Sequence, residues 1–212
     1  MNILTDCIRA DTEYRHLLHT IKTLRRDNPL PVVAAGLSEG AADALTVSLV
    51  EDLKSAGFGC ALIFCSEEKE CTRCLSVLGS AGIRAAAFPS RDLTLYNLTA
   101  SHEFEHERLK VLSGLAGGIF DAVVTTPDAA LGYTMPAERL KAAEISVNAD
   151  ESLDVTGLTR LLVSAGYVRV ELAEVPGQFA LRGGIIDIYP PYAEYSCGDT
   201  TKYGSRPVRI EL

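Results

Sequence analysis

The stretch Gly177-Gln178-Phe179-Ala180-Leu181-Arg182-Gly183-Gly184-Ile185-Ile186-Asp187-Ile188-Tyr189-Pro190 decides how the carboxy-terminal part of this 212-residue chain folds. Phe179 and Leu181 alternate with Ala180 and Arg182, the two-residue period of a strand with one apolar face and one face carrying a cation. Gly183 and Gly184 interrupt that period before Ile185, Ile186 and Ile188 resume it. A glycine pair inside a strand pattern marks a bulge or a close backbone approach. The preceding segment, Tyr167 to Val175, alternates as cleanly, with Val168, Val170 and Leu172 inward and Arg169 and Glu171 outward. Pro176-Gly177 between them is a turn signal. The pattern predicts an antiparallel hairpin of these two segments.

With Pro176-Gly177 as a two-residue turn, Val175 faces Gln178, Glu171 falls opposite Arg182, and Arg169 lies on the diagonal. The two arginines are then roughly 7–8 Å apart on one solvent face. Either Arg182 pairs with Glu171, or the arginines form a small cationic surface. Spacing alone favours the ion pair.

Upstream, Tyr14, Leu17, Leu18, Ile21 and Leu24 fall at helical spacing in residues 11–26, and Pro29 and Pro31 end that helix. Val32-Val33-Ala34-Ala35 is expected to be a short buried strand running into Gly36. A helix follows from about Glu39 to Ser55, then a strand Cys60–Cys65, a helix Glu67–Leu78, a strand Ala85–Phe88, a helix His102–Leu112 and a strand Asp121–Thr125. Strands alternating with helices predict an α/β domain with a doubly wound, mostly parallel sheet. The connection Pro89–Ala100 is long for such a fold. After Met135-Pro136 the texture changes: a helix, Asp154–Ala165, precedes three or four short strands. We therefore expect a first domain at residues 1–138 and a small α+β domain with an antiparallel sheet at 139–212. Tyr192 to Pro207, rich in Gly, Ser, Thr, Tyr and Asp, reads as a surface loop before Val208–Leu212.

Composition narrows the functions. A net charge of −8 opposes general attraction to a polyanion. No apolar run approaches the ~20 residues of a membrane span, so the chain is expected to be soluble and cytoplasmic with no membrane partner. Six cysteines stand at 7, 60, 65, 71, 74 and 197. Cys60 and Cys65 read as small buried hydrophobes. Cys71-Thr-Arg-Cys74 has the gap of a zinc half-site, but no second pair exists, and His16, His19, His102 and His106 offer no partner at ligand spacing. No metal or cofactor is expected.

The first strand-to-helix turn is where an α/β protein of this type cradles nucleotide phosphates. A phosphate loop there needs Gly, Lys and Ser or Thr four residues after its first Gly. Counting from Gly36, this chain has Ala41, Ala42 and Asp43 in those places. The cation is missing, an anion replaces the metal-binding hydroxyl, and Glu39 adds negative charge at the same helix start. Nucleotide binding is not expected. Asp121 and Asp128 flank the last strand of the domain and read as turn and cap residues.

The run from Gly166-Tyr167 through Gly177-Gln178-Phe179, Arg182-Gly183-Gly184-Ile185-Ile186-Asp187-Ile188 and Pro190 to Arg209-Ile210-Glu211-Leu212 resembles one bacterial repair family. It is similar to the amino-terminal module that transcription-repair coupling factors (Mfd) share with the excinuclease protein UvrB. The resemblance implies a degenerate helicase-like (RecA-like) domain followed by a small domain that docks on the excinuclease protein UvrA. Arg169 and Arg182 stand where the family places arginines that contact that partner. UvrB carries a further arginine where this chain has Ala180, a departure that favours the coupling factor. Phe88-Pro89, Asp92-Leu93, Tyr96 and Glu107-Arg108-Leu109 also match a family pattern. The implied role is a non-catalytic module that recruits UvrA to RNA polymerase stalled at DNA lesions, with polymerase and DNA bound through domains absent from this chain. The chain is accordingly expected to be a piece of a longer protein. The alternative is an ATP-dependent repair protein like UvrB, which needs the missing lysine. An unrelated enzyme of the doubly wound class would use strand ends that here offer Gly36, Ser66, Pro89 and Thr125-Thr126, with no nucleophile, base and orienting group together in sequence.

Overall fold

The computed structural model describes residues 2–24, 31–90, 103–148, 152–197 and 200–212. The connection beyond Ser90, with Asp92, Leu93 and Tyr96, and His102 lie outside the described residues. In chain order the first elements are α1 (Asn2–Ala10), α2 (Thr12–Thr23), α3 (Glu39–Ser55), β1 (Ala61–Phe64), α4 (Glu68–Ser80) and β2 (Ala85–Phe88). Then come α5 (Glu103–Ala116), β3 (Ala122–Thr125), α6 (Pro127–Leu131), α7 (Ala137–Ala142) and α8 (Val155–Ser164). The last are β4 (Val168–Arg169), β5 (Gln178–Arg182), β6 (Ile185–Tyr189), β7 (Ala193–Cys197), β8 (Thr200–Gly204) and β9 (Val208–Glu211). The fold is mixed α/β. Two units divide it, residues 1–92 with 117–132 and residues 93–116 with 133–212. No helix among the described residues is long and apolar enough to cross a membrane.

In the first unit a parallel sheet runs in the order β1-β3-β2, with Ala61 and Ala85 both beside Ala122. β3 is buried along its whole length, as the central strand of a parallel sheet must be. Val47 and Val50 of α3, Cys71 and Leu78 of α4, and Ile83 close on Ala122 and Val124 to form the core. The sequence reading places no element over α1, although Ile3, Leu4, Cys7 and Ile8 fall at helical spacing. Tertiary contacts hold it: Arg9 pairs with Glu51 at 2.6 Å and Asp52 at 2.9 Å on α3, and Tyr14 donates to Asp52 at 2.6 Å.

The expected strand Val32–Ala35 does not form, and Val33 is 80% exposed. Pro31 supplies no N–H to a ladder, and residues 31–35 form a linker leading towards α3.

Asp121, which reads in the sequence as a turn residue, anchors the start of β3. Its carboxylate accepts from Arg84 Nη2 at 2.7 Å and Nε at 3.2 Å, and Lys54 lies 2.9 Å away. The Arg84 hydrogen bond, joined by Lys54, holds this carboxyl far below the usual range. The ionised form is the one the fold favours, so its contribution is complete above the ordinary carboxylate pKa and is lost as pH falls through the depressed value. Thermal stability is expected to be flat near neutrality and to drop below about pH 4, with a smaller acid drop in Asp121→Asn. A pH series of melting curves in which that variant tracks the parent would contradict this.

The second unit contains a four-stranded sheet in the order β4-β5-β6-β9 and a separate β7-β8 hairpin. Asp154 caps α8 by accepting from the Gly157 N–H, and Leu158 and Leu162 pack with Phe179, Ile186 and Ile188. The antiparallel hairpin is not the expected one. β5 turns back through Gly183-Gly184 to pair with β6, Arg182 beside Ile185 and Ala180 beside Asp187. Gly183 has φ +59 and Gly184 is not in the positive region, the signature of a type II′ turn, whose twist suits a two-residue hairpin. Pro176-Gly177, with Gly177 at φ +85, instead has type II chemistry, which splays strands. β4 therefore lies parallel to β5, with Val168 N–H donating to Gly177 O and Val170 N–H to Phe179 O, each at 2.9 Å. The Gln178 side-chain oxygen accepts from the Glu174 and Val175 N–H groups and pins the intervening loop.

The expected loop 192–207 is also corrected, because β7 and β8 pair along its length. Tyr192 stacks on Tyr203 and the Arg206 guanidinium sits 4.5 Å from the Tyr195 ring centre. Cross-strand aromatic and cation–π contacts outweigh the turn-rich composition.

Candidate docking site

β5, β6 and β9 place alternate side chains on one outer sheet face. Register puts Ala180 beside Asp187 and Asp187 beside Arg209, while Arg182 extends along the same face of β5. Arg182 Nη2 donates to Asp187 Oδ2 at 2.7 Å. Arg209 donates from Nε to Oδ1 at 2.7 Å and from Nη2 to Oδ2 at 3.1 Å. The carboxylate is 12% exposed, whereas the Arg182 and Arg209 side chains are 52% and 55% exposed. The two guanidinium groups hold the Asp187 carboxyl below its usual range, Arg209 first and Arg182 second. One anion thus holds two cations in water.

Arg169 does not join them. It pairs with Phe179, and Phe179 and Arg182 point to opposite sides of β5, so Arg169 and Arg182 belong to opposite faces of the sheet. The expected neighbourhood of the two arginines, and the Glu171–Arg182 pairing, fall with the hairpin that implied them. Arg169 is exposed on the edge strand β4. Sequence reasoning missed Asp187 and Arg209. Treating Gly183-Gly184 as a two-residue turn would have set Asp187 against Ala180, two residues from Arg182.

At the start of α3, Gly36 has φ +76 and Ser38 caps the helix through the Ala41 N–H. Asp43 accepts from Arg73 at 2.7 and 2.8 Å, and Glu39 lies 3.3 Å from the same guanidinium. Arg73, the cation that reaches the turn carrying Ala41, Ala42 and Asp43, is thus bound by carboxylates of α3. A cavity of about 720 Å³ opens beside the start of α3, lined among the described residues by Tyr14, Val33, Ser38 and Ala41 together with Asp11, Glu13 and His16.

Cys60 is exposed, contrary to the sequence reading, whereas Cys71 is buried and Cys65 and Cys74 are half-buried. Burial raises the thiol of Cys71, with Cys65 beside it, and that of Cys74, to about 11 for the latter, so both are protonated at neutral pH. Among the described residues no group of three His, Cys, Asp or Glu is arranged to hold a metal ion.

Residues 145–198, which include α8, β4, β5, β6 and β7, match the family described as UvrB interaction domain. The chain is 34% identical over 113 residues to the transcription-repair-coupling factor of Bacillus subtilis (strain 168), covering 53% of this chain and 9% of that protein. It is 29% identical over 126 residues to the same factor of Staphylococcus aureus (strain USA300), 59% of this chain and 10% of that protein. The Staphylococcus haemolyticus (strain JCSC1435) factor is 31% identical over 126 residues with the same coverage. The matched stretch thus spans about a tenth of the length of these relatives. The chain is therefore similar over somewhat more than half its length to transcription-repair-coupling factors, and over residues 145–198 to the UvrB interaction domain.

Proposed function

We propose, from the likeness to transcription-repair-coupling factors and to the UvrB interaction domain, that this chain is a docking module for UvrA in transcription-coupled excision repair. The observation that carries the reading is the match over 145–198, because that stretch supplies three of the four strands of the sheet that displays Arg182. In this reading residues 139–212 are the docking domain, and residues 1–138 are a degenerate helicase-like domain that has no catalysis of its own. RNA polymerase and DNA are engaged by other parts of a longer protein. Arginine suits the role because its planar fork recognises carboxylates through two parallel hydrogen bonds. A partner that reaches both Arg182 and Arg169 has to wrap the β4 edge, since the two lie on opposite faces.

Size-exclusion chromatography with purified UvrA tests this against the alternative of an ATP-dependent protein like UvrB. Co-elution of the chain with UvrA, and no binding of Mg-ATP by the chain alone, is the expected pair of results. ATP bound at micromolar concentration without UvrA co-elution would replace docking by the ATP-dependent reading.

A further inference from the structure

We infer that Asp187 is the positioning residue of a two-guanidinium site, Arg182 with Arg209, that receives a carboxylate of the partner protein. The inference rests on the docking function proposed above and adds to it the residue that organises the surface and the second cation that completes it. Asp187 stands on the central strand β6, flanked by Ala180 of β5 and Arg209 of β9, so the small alanine leaves room for both guanidinium groups to converge on one carboxylate. Its bonds use one N–H group of Arg182 and two of Arg209, out of five on each guanidinium, and both side chains remain half-exposed. The remaining donors are available to a ligand, and they are fixed before it arrives. Fixing a long side chain beforehand lowers the ordering cost of binding. Asp187 offsets one of the two cations, and Glu211, beside Ile185 on the same face, acts on Arg209 as a second negative charge, so the face carries no net positive charge, while the chain as a whole carries −8. That balance favours a local carboxylate on a protein surface over the extended polyanion of a nucleic acid.

Asp187→Asn tests the inference by surface-bound kinetics with UvrA. Loss of positioning is expected to speed dissociation roughly tenfold or more, with the association rate unchanged or raised because the surface becomes more cationic. A merely structural role would lower the fraction of active protein and leave the dissociation rate of the complex alone. Arg209→Ala keeps the Arg182–Asp187 bond, and so guards against a misfolded Asp187 variant. It is expected to speed dissociation to a similar degree. In nitrogen-resolved NMR the Arg209 Nε–H signal is expected to be slow to exchange in the parent chain and fast in Asp187→Asn. Parent-like dissociation in both variants would overturn the site while leaving UvrA docking intact, and tighter binding by Asp187→Asn would show that Asp187 only masks the arginines. A parent chain that fails to bind UvrA would remove the docking function and the site together. Duplex DNA binding that Arg209→Ala abolishes would overturn the choice of a protein carboxylate.

Discussion

Phe179→Ala is expected to destabilise the second unit by about 3–5 kcal/mol. The ring is fully buried and packs with Leu158 and Leu162 of α8 and with Ile186 and Ile188 of β6. Its strand is held on both sides, by β4 and by β6, so the backbone has little freedom to close the cavity that alanine leaves. A domain of this size has a total stability of roughly 5–15 kcal/mol, so the loss is a large share of it. The chain has no tryptophan. Urea unfolding followed by far-ultraviolet circular dichroism is therefore the suitable measurement. A shift of less than about 1 kcal/mol would mean that Phe179 is not the centre of this core.

The second large effect is on binding. Arg182→Glu places a second carboxylate beside Asp187 and reverses the charge offered to the partner. Affinity for UvrA is expected to fall by about 2–5 kcal/mol, or roughly 30-fold to several thousand-fold. Folding is expected to survive, because the Arg182 side chain is about half exposed and Arg209 still neutralises Asp187. Arg169→Glu makes an informative comparison. Its register sets it on the opposite face, so a partner that covers only the Asp187 face loses little with this variant, whereas one that wraps the β4 edge loses as much as with Arg182→Glu. Equal parent-like affinity of both variants would remove the arginines from the docking surface.

Elements with a strong local signal were legible in the sequence. α3 and β2 fall at the expected residues, because Ser38 caps one and the Ala81-Gly82 turn precedes the other. The signals that failed were those decided by competition between distant choices. Gly183-Gly184 and Pro176-Gly177 both punctuate strand patterns, and only turn twist tells which of them closes a hairpin. That choice carried the site with it, since the position of Arg169, the role of Asp187 and the partnership of Arg209 all depend on register. α1 was missed although Leu4, Cys7 and Ile8 fall at helical spacing, and its anchoring to α3 through Arg9 is visible only in the structure. The residue types at Gly36, Ala41, Ala42 and Asp43 are read from the sequence alone, whereas only the structure shows Asp43 and Glu39 engaged with Arg73.

A binding isotherm of the parent chain against purified UvrA, recorded at low and at high salt, bears most directly on the proposed function. Saturable one-to-one binding that weakens as salt screens the exposed guanidinium groups is the expected result. No binding at low salt, with the chain folded by circular dichroism, would contradict it.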